Sequence, residues 1–400
     1  MTASRDDAPA TLRWPDGMDE AGFLARHWQR APLLMRQALP GFVTPLPPDE
    51  LAGLSLEPDV GGRLIRRRED DTYALEHGPF DEETFATLGE RDWSLLVTDV
   101  DKHVPELARW LMPFRVAPDW RLDDLMVSFA PDGGSVGAHV DEYDVFLLQA
   151  SGIRRWSIAA PPSATASDDT PSRPPPERAA GDLRLVEDFS PSDSWDLEPG
   201  DVLYLPPGVA HHGVALGDGC TTWSIGFRAP SAADVVLHAA ELVAERLSGR
   251  LPRTRLRDPG RGRGVAGEID DATIDAVATL LREALTLDRS AMTELTGRLL
   301  TRSGTPADDI GSDAADGDAD AVAEERPAAF AVTPFSRLAW CGAGERVELF
   351  VNGERHACHR RLARGLCESL AVREEDVMPE DGALFDTLRE DGVLAPVDRA

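Results

Sequence analysis

The chain has 400 residues, and 41 Lys and Arg stand against 71 Asp and Glu for a formal net charge of −30 at pH 7. At roughly 150 residues per domain, such a length suggests two or three domains, each able to bury a core. A hydrophobic content of 42% excludes a disordered acidic chain, and the charge argues against a general nucleic-acid binder unless a local basic face overrides it. Lys102 is the sole lysine, so nearly all positive charge is arginine, a pattern that reads as genome-wide or high-salt bias. Four cysteines (Cys220, Cys341, Cys358, Cys367) include no CxxC pair and give no disulfide framework. The N-terminal MTASRDDAPATLRWPDG has no apolar core of signal-peptide type, and no apolar window reaches the ~18 residues of a membrane span. The expectation is a soluble, cytoplasmic protein.

In chain order, residues 18–45 predict a helix followed by an extended apolar run, Leu33–Met35. Over 93–112, Leu96, Val100, Val104, Leu107 and Leu111 fall at helical spacing. From about 122 the period shortens to strand type. LMVSFA, YDVFLLQA, RRWSIAA, DVLYLPP and TTWSIGF are punctuated by Gly, Pro, Asp and Ser. Strands without long intervening helices predict an antiparallel barrel or sandwich rather than a βαβ fold. Residues 161–182 read as a polar, proline-rich loop within it. After Pro230 the period is helical again, with one stripe in ADVVLHAAELVAERL and another at Ile274, Val277, Leu281 and Ala284. Residues 304–327 form an acidic linker by composition. Beyond it lie a hairpin candidate around Asn352-Gly353, a helix near 360–370 and an amphipathic C-terminal segment, the size and order of a winged helix.

Chemistry concentrates at His139-Val140-Asp141 and a histidine far downstream, at 211 or 212. On a strand, residues two apart share a face, so His139 and Asp141 can converge on one point. With a third ligand from another strand, two imidazoles and one carboxylate would cap one face of an octahedron. Such a set suits Fe(II) and leaves three positions open. Glycines in APDGGSVGAH let backbone approach a small ligand, and the Pro-Pro-Gly of EPGDVLYLPPGVAHHG presents the histidines at a strand end. Neighbouring residues point oppositely, so spacing alone does not choose between His211 and His212. Nor does it choose between Arg154 and Arg155, either of which could hold a distal carboxylate with a bidentate fork.

HVDEYDVFLLQASGIRRWSI, EPGDVLYLPPGVAHHGVAL and SIGFRAP together resemble the JmjC-type bacterial ribosomal oxygenases. FLARHWQRAPLLMRQALPGF, FVTPLPPDELAGL, RDWSLLVTDVDKHVPEL, PDWRLDDLMVSFAP and the C-terminal VNGE and FDTLREDGVL extend the resemblance over nearly the whole chain. It implies an Fe(II)- and 2-oxoglutarate-dependent dioxygenase that forms 3-hydroxyarginine on large-subunit ribosomal protein sixteen, with O2 as co-reactant. By position it implies His139, Asp141 and His211 as catalytic iron ligands and Arg154 as the partner of the 2-oxoglutarate 5-carboxylate. Ala138 and Ala210 replace expected prolines, and His212 an expected acidic residue. The implied fold is α+β: a cupin-like double-stranded β-helix over 1–230, a helical dimerisation region over 231–303, the linker over 304–327, and a winged-helix-like domain over 328–400. The implied partners are a basic ribosomal protein and a second copy of the chain, with no membrane or direct nucleic-acid role.

Two other clusters stand apart. His356, Cys358, His359 and Cys367 match no common zinc-finger spacing, and a hairpin followed by a helix accounts for them. Arginines from Arg246 to Arg263 lack interleaved aromatics for base stacking and more simply meet acidic surfaces of the chain itself. The competing functional readings are a JmjC oxygenase acting on another protein, and a cupin and winged-helix regulator without turnover.

Overall fold

The computed structural model describes residues 11–160 except 16, 177–248 except 181 and 182, residue 256, and 269–302 and 329–397. The acidic linker and most of the proline-rich and arginine-rich segments lie outside the described residues. The chain divides into two compact units, 1–229 and 230–400.

The first unit holds β1 (Leu33–Met35), β2 (Gly62–Arg67), β3 (Tyr73–His77), β4 (Trp93–Val97), β5 (Leu122–Ala130), β6 (Asp144–Ile158), β7 (Glu177–Ala180), β8 (Leu183–Val186), β9 (Asp193–Leu197), β10 (Val202–Leu205) and β11 (His211–Phe227). A nine-stranded sheet runs β1-β10-β6-β11-β5-β4-β2-β3, with β9 also on β6, and β7 and β8 form a separate hairpin. Every pairing is antiparallel, as the short strands without crossover helices require.

Three expectations need correction. YDVFLLQA and RRWSIAA are one strand, because Gly152 at φ +64° bends β6 without ending it. Residues 93–97, read as the start of a helix, form β4, buried along almost its whole length between β2 and β5. A strand covered on both faces shows a continuous apolar run, which helical spacing imitates. The helix begins only at Val100, and Pro105–Phe114 winds as a 3₁₀ turn. The end of the supposed loop 161–182 contains β7, the first strand of the β7–β8 hairpin.

β6 lies between two apolar layers, because alternate side chains point to opposite faces. Phe146 and Leu148 join the larger core with Phe23, Tyr204 and Trp223, whereas Val145 and Leu147 face Trp156, Leu203 and Leu205. At its start the Asp144 carboxylate is fully buried. It accepts from Tyr204 Oη at 2.6 Å, Gln29 Nε2 at 3.2 Å and Arg121 Nη2 at 3.0 Å. Burial still holds its pKa above the usual range.

In the second unit, helices Ala232–Ser248 and Arg289–Thr301 are joined by the pairs Arg246–Glu294, Arg298–Glu245 and Arg302–Glu241. The second of these helices packs on the C-terminal sheet of β13 (Leu338–Cys341), β14 (Arg346–Val351) and β15 (Glu354–His359), which follows β12 (Ala329–Val332). Gly297 makes room for the Phe350 ring, since a Cβ there would stand 2.3 Å from it. The expected hairpin turn is present, with Asn352 and Gly353 both at positive φ. Helix Asp271–Ala284 buries none of its residues, and Ile274, Val277 and Leu281 are exposed.

Arg121→Leu should strand the buried Asp144 carboxylate without its cation. The expected loss is ~3–5 kcal/mol of stability, read as a lowered Tm.

Candidate metal centre

His139 and Asp141 lie in a loop rather than on the strand that the sequence suggested. The loop runs antiparallel to the start of β11, and their convergence has a different cause from simple alternation. Ser135 bridges Val214, and His139 bridges His211. Four peptide steps separate the loop partners, but three separate those on β11, so the loop carries one extra residue. That extra residue is a β-bulge with Gly137 at φ +84°. Regular alternation from Ser135 would aim residue 139 to the outer face. One inserted residue reverses the facing and sends His139 inward beside His211.

The backbone fixes the bulge at both ends. Gly133 donates to the Ala215 carbonyl at 3.0 Å, and His139 and His211 exchange N–H···O bonds of 3.0 and 2.9 Å. Asp141 is anchored where its carbonyl accepts from Gly208 at 2.9 Å, in the Pro-Pro-Gly turn that leads to His211. Candidate ligand atoms of His139, Asp141 and His211 all lie within 4.8 Å of one another. Each Nδ1 donates to the carbonyl two residues earlier, His139 to Gly137 at 3.0 Å and His211 to Val209 at 2.9 Å. Both Nε2 lone pairs therefore face Asp141, at 3.9 and 3.6 Å, too far to be hydrogen bonds but suited to a shared centre. Burial, reinforced by His139, pushes the His211 pKa down to about 4, so its ring is neutral and able to ligate.

His212 faces the other way. Its Nε2 is 3.0 Å from Ser135 Oγ, and its ring meets the edge of Phe189. Arg155 also lies outside the pocket, in a two-pronged ion pair with Asp196 on β9. Arg154 is 2% exposed, and its Nε and Nη2 have no hydrogen-bond partner. Its guanidinium stacks over Trp156, whose ring fills the space left by Gly213 and approaches His211. A buried guanidinium with open donors calls for an anion, and two imidazoles with one carboxylate call for a divalent cation of the Fe(II) class. The donor set and the orphaned arginine fit a metal and a small carboxylate together. Among the described residues this is the single cluster of metal-ligating type, and the zinc candidates around Cys358 do not converge.

The sequence pattern did not single out Tyr143, which lies within electrostatic reach of Asp141, Asp124 and Arg63. Gly226 leaves space where Asp124 and the Tyr143 ring approach, and Arg63 reaches Met126 Sδ at 3.4 Å. Tyr143 is 40% exposed, an aromatic two residues beyond Asp141, and that spacing was the available hint.

Residues 109–235 match the family model of the JmjC domain. The ribosomal protein uL16 3-hydroxylase of Escherichia coli (strain K12) is 41% identical over 239 residues, which cover 60% of this chain and 59% of that protein. The chain thus spans, in that alignment, less than two thirds of the relative's length. The structure of YcfD, a ribosomal oxygenase from Escherichia coli, in complex with cobalt and 2-oxoglutarate is similar with a TM-score of 0.73 at 28% identity, covering 96% of this chain and 99% of that one. The YcfD complex with cobalt and succinic acid gives the same TM-score, identity and coverage. The antiparallel fold is therefore the cupin-like JmjC fold.

Gly137→Ala should disrupt the bulge. Its Cβ would stand 2.7 Å from Leu185 Cδ2 and 3.1 Å from the Tyr73 ring, at a φ that L-residues avoid. The expected outcome is ~1–3 kcal/mol of lost stability, with weakened divalent-metal binding by calorimetric titration.

Proposed function

We propose that the chain is an Fe(II)- and 2-oxoglutarate-dependent hydroxylase of the JmjC type, forming 3-hydroxyarginine on large-subunit ribosomal protein sixteen, uL16. The observation that carries the proposal is the buried Arg154 guanidinium, with Nε and Nη2 unpaired, which stacks on the Trp156 ring that itself packs against His211 of the triad. A structural ion pair would have satisfied that arginine, whereas a dicarboxylate cosubstrate needs it open.

In this reading His139 and His211 bind iron through Nε2, since their Nδ1 atoms are committed to backbone carbonyls, and Asp141 adds a carboxylate oxygen. The bound metal, with 2-oxoglutarate and O2, supplies the oxidising chemistry: one oxygen atom enters a substrate C–H bond while 2-oxoglutarate loses CO2 and becomes succinate. Arg154 orients the cosubstrate by its distal carboxylate, and the Trp156 ring keeps water from that charge pair. Tyr143, two residues beyond Asp141 and 40% exposed, offers an aromatic face to a cationic side chain, which supports an arginine target. The −30 charge would draw a basic ribosomal protein and disfavour assembled ribosomal RNA, so the free protein in the cytoplasm is the proposed substrate.

The second unit is proposed to combine helical dimerisation with a winged-helix-like domain. Support for dimerisation is the exposed stripe of Ile274, Val277 and Leu281 on a helix that buries nothing. The hairpin β14–β15 followed by helix Arg360–Arg364 supports the winged-helix reading.

Incubation of the full chain with Fe(II), 2-oxoglutarate and purified uL16 should release succinate and add one oxygen to an arginine, read by tandem mass spectrometry. Succinate release with a different protein alone would move the assignment to that substrate, and none with any ribosomal protein would support a binding module instead. His211→Ala should abolish turnover. Arg154→Ala should raise the KM for 2-oxoglutarate by roughly 10- to 100-fold, the loss of a charge-assisted contact. Leu281→Asp should halve the mass found by sedimentation equilibrium if the stripe is the dimer face, and an unchanged mass would remove that assignment.

A further inference from the structure

The second histidine of the 211–212 pair has no place in the triad, yet it is connected to it. Ser135, which opens the bulge, is 1% exposed, and its hydroxyl meets two groups. It accepts from the Gly137 N–H at 3.0 Å and stands 3.0 Å from His212 Nε2. A continuous path of 3.0 Å bonds then runs from His212 to Ser135 Oγ, from Ser135 to the Gly137 N–H, and from the Gly137 carbonyl to His139 Nδ1. His212 occupies β11 between the two points at which backbone bonds fix the bulge. The backbone holds the ends, and the His212 side chain reaches the Ser135 hydroxyl that accepts from Gly137 in the middle.

We propose that His212 is a positioning residue for the metal centre. Through Ser135 it holds the bulge that turns the His139 ring toward Asp141 and His211. The inference rests on the metal reading of the triad given above. Its opposite face supplies a second constraint on the same loop: Val186 donates to the Ala138 carbonyl at 2.8 Å, and Leu185 and the Tyr73 ring lie where a side chain on residue 137 would be. The bulge is thus gripped from β11 through the His212 side chain and from the β8 side through the backbone.

Cobalt(II) titration of the purified full chain, followed by the visible d–d absorption, tests this without turnover. His212→Leu keeps the volume against Phe189 but loses the bond, and Ser135→Ala removes the hydroxyl. Each should weaken cobalt binding ~10-fold, the size typical of a lost partner behind a ligand. His212→Gln places an amide near the former Nε2 and should bind within about twofold of the natural chain. The double variant Ser135→Ala with His212→Leu should be no weaker than either single one, because both break one path. Cobalt binding by His212→Leu equal to that of the natural chain overturns the proposal, as does His212→Gln binding as weakly as His212→Leu. His211→Ala in the same series should abolish binding. If it binds cobalt normally, the metal reading itself fails and the positioning role falls with it. Circular dichroism melts confirm that the compared variants are folded, and Ser135→Ala carries the test if His212→Leu is not.

Discussion

Side-chain alternation along an extended chain is the constraint on which the centre depends. A residue facing the interior stays there only while the count between bridge points is even-handed, and one extra residue reverses it. Between Ser135 and His139 the loop takes one step more than β11 does, and Gly137 absorbs it at φ +84°. Glycine suits that position twice over, since it tolerates the left-handed region and leaves no Cβ to strike Leu185 or Tyr73. The facing of the His139 ring toward Asp141 and His211 follows from this bulge.

The electrostatics are arranged around the same cavity. Burial strips His211 of its proton, and the Nδ1 bonds to carbonyls leave both Nε2 lone pairs directed at one point. The Trp156 ring stacks on a buried guanidinium with two open donor nitrogens. Among the described residues the buried carboxylates of Asp144, Asp201 and Asp381 are each paired, with Arg121, Arg36 and Arg346. Arg154 departs from that rule, and departures of this kind concentrate where a ligand completes the set.

The outlines of this arrangement were legible in the sequence. Antiparallel strands, the shift to helices after Pro230, the turn at Asn352-Gly353 and the exposed stripe from Ile274 all follow from period and punctuation. The triad and the arginine were legible as residue types, while the choice of His211 over His212 and Arg154 over Arg155 needed either family resemblance or coordinates. Three things were hidden for physical reasons. A strand buried on both faces, such as Trp93–Val97, has no alternation to read. A bulge is a mismatch between two chains, so the loop sequence alone does not reveal it. The Ser135–His212 bond joins residues whose proximity exists only once that register is set.

X-ray absorption at the cobalt edge of the loaded full-length chain, with and without 2-oxoglutarate, tests the central claim most directly. The expected shell is two imidazoles and one carboxylate about the metal, with two light oxygen ligands replaced by a chelating cosubstrate when 2-oxoglutarate is added. Three imidazoles, which would mean that His212 leaves Ser135 to ligate, or a shell that 2-oxoglutarate does not alter, would contradict it.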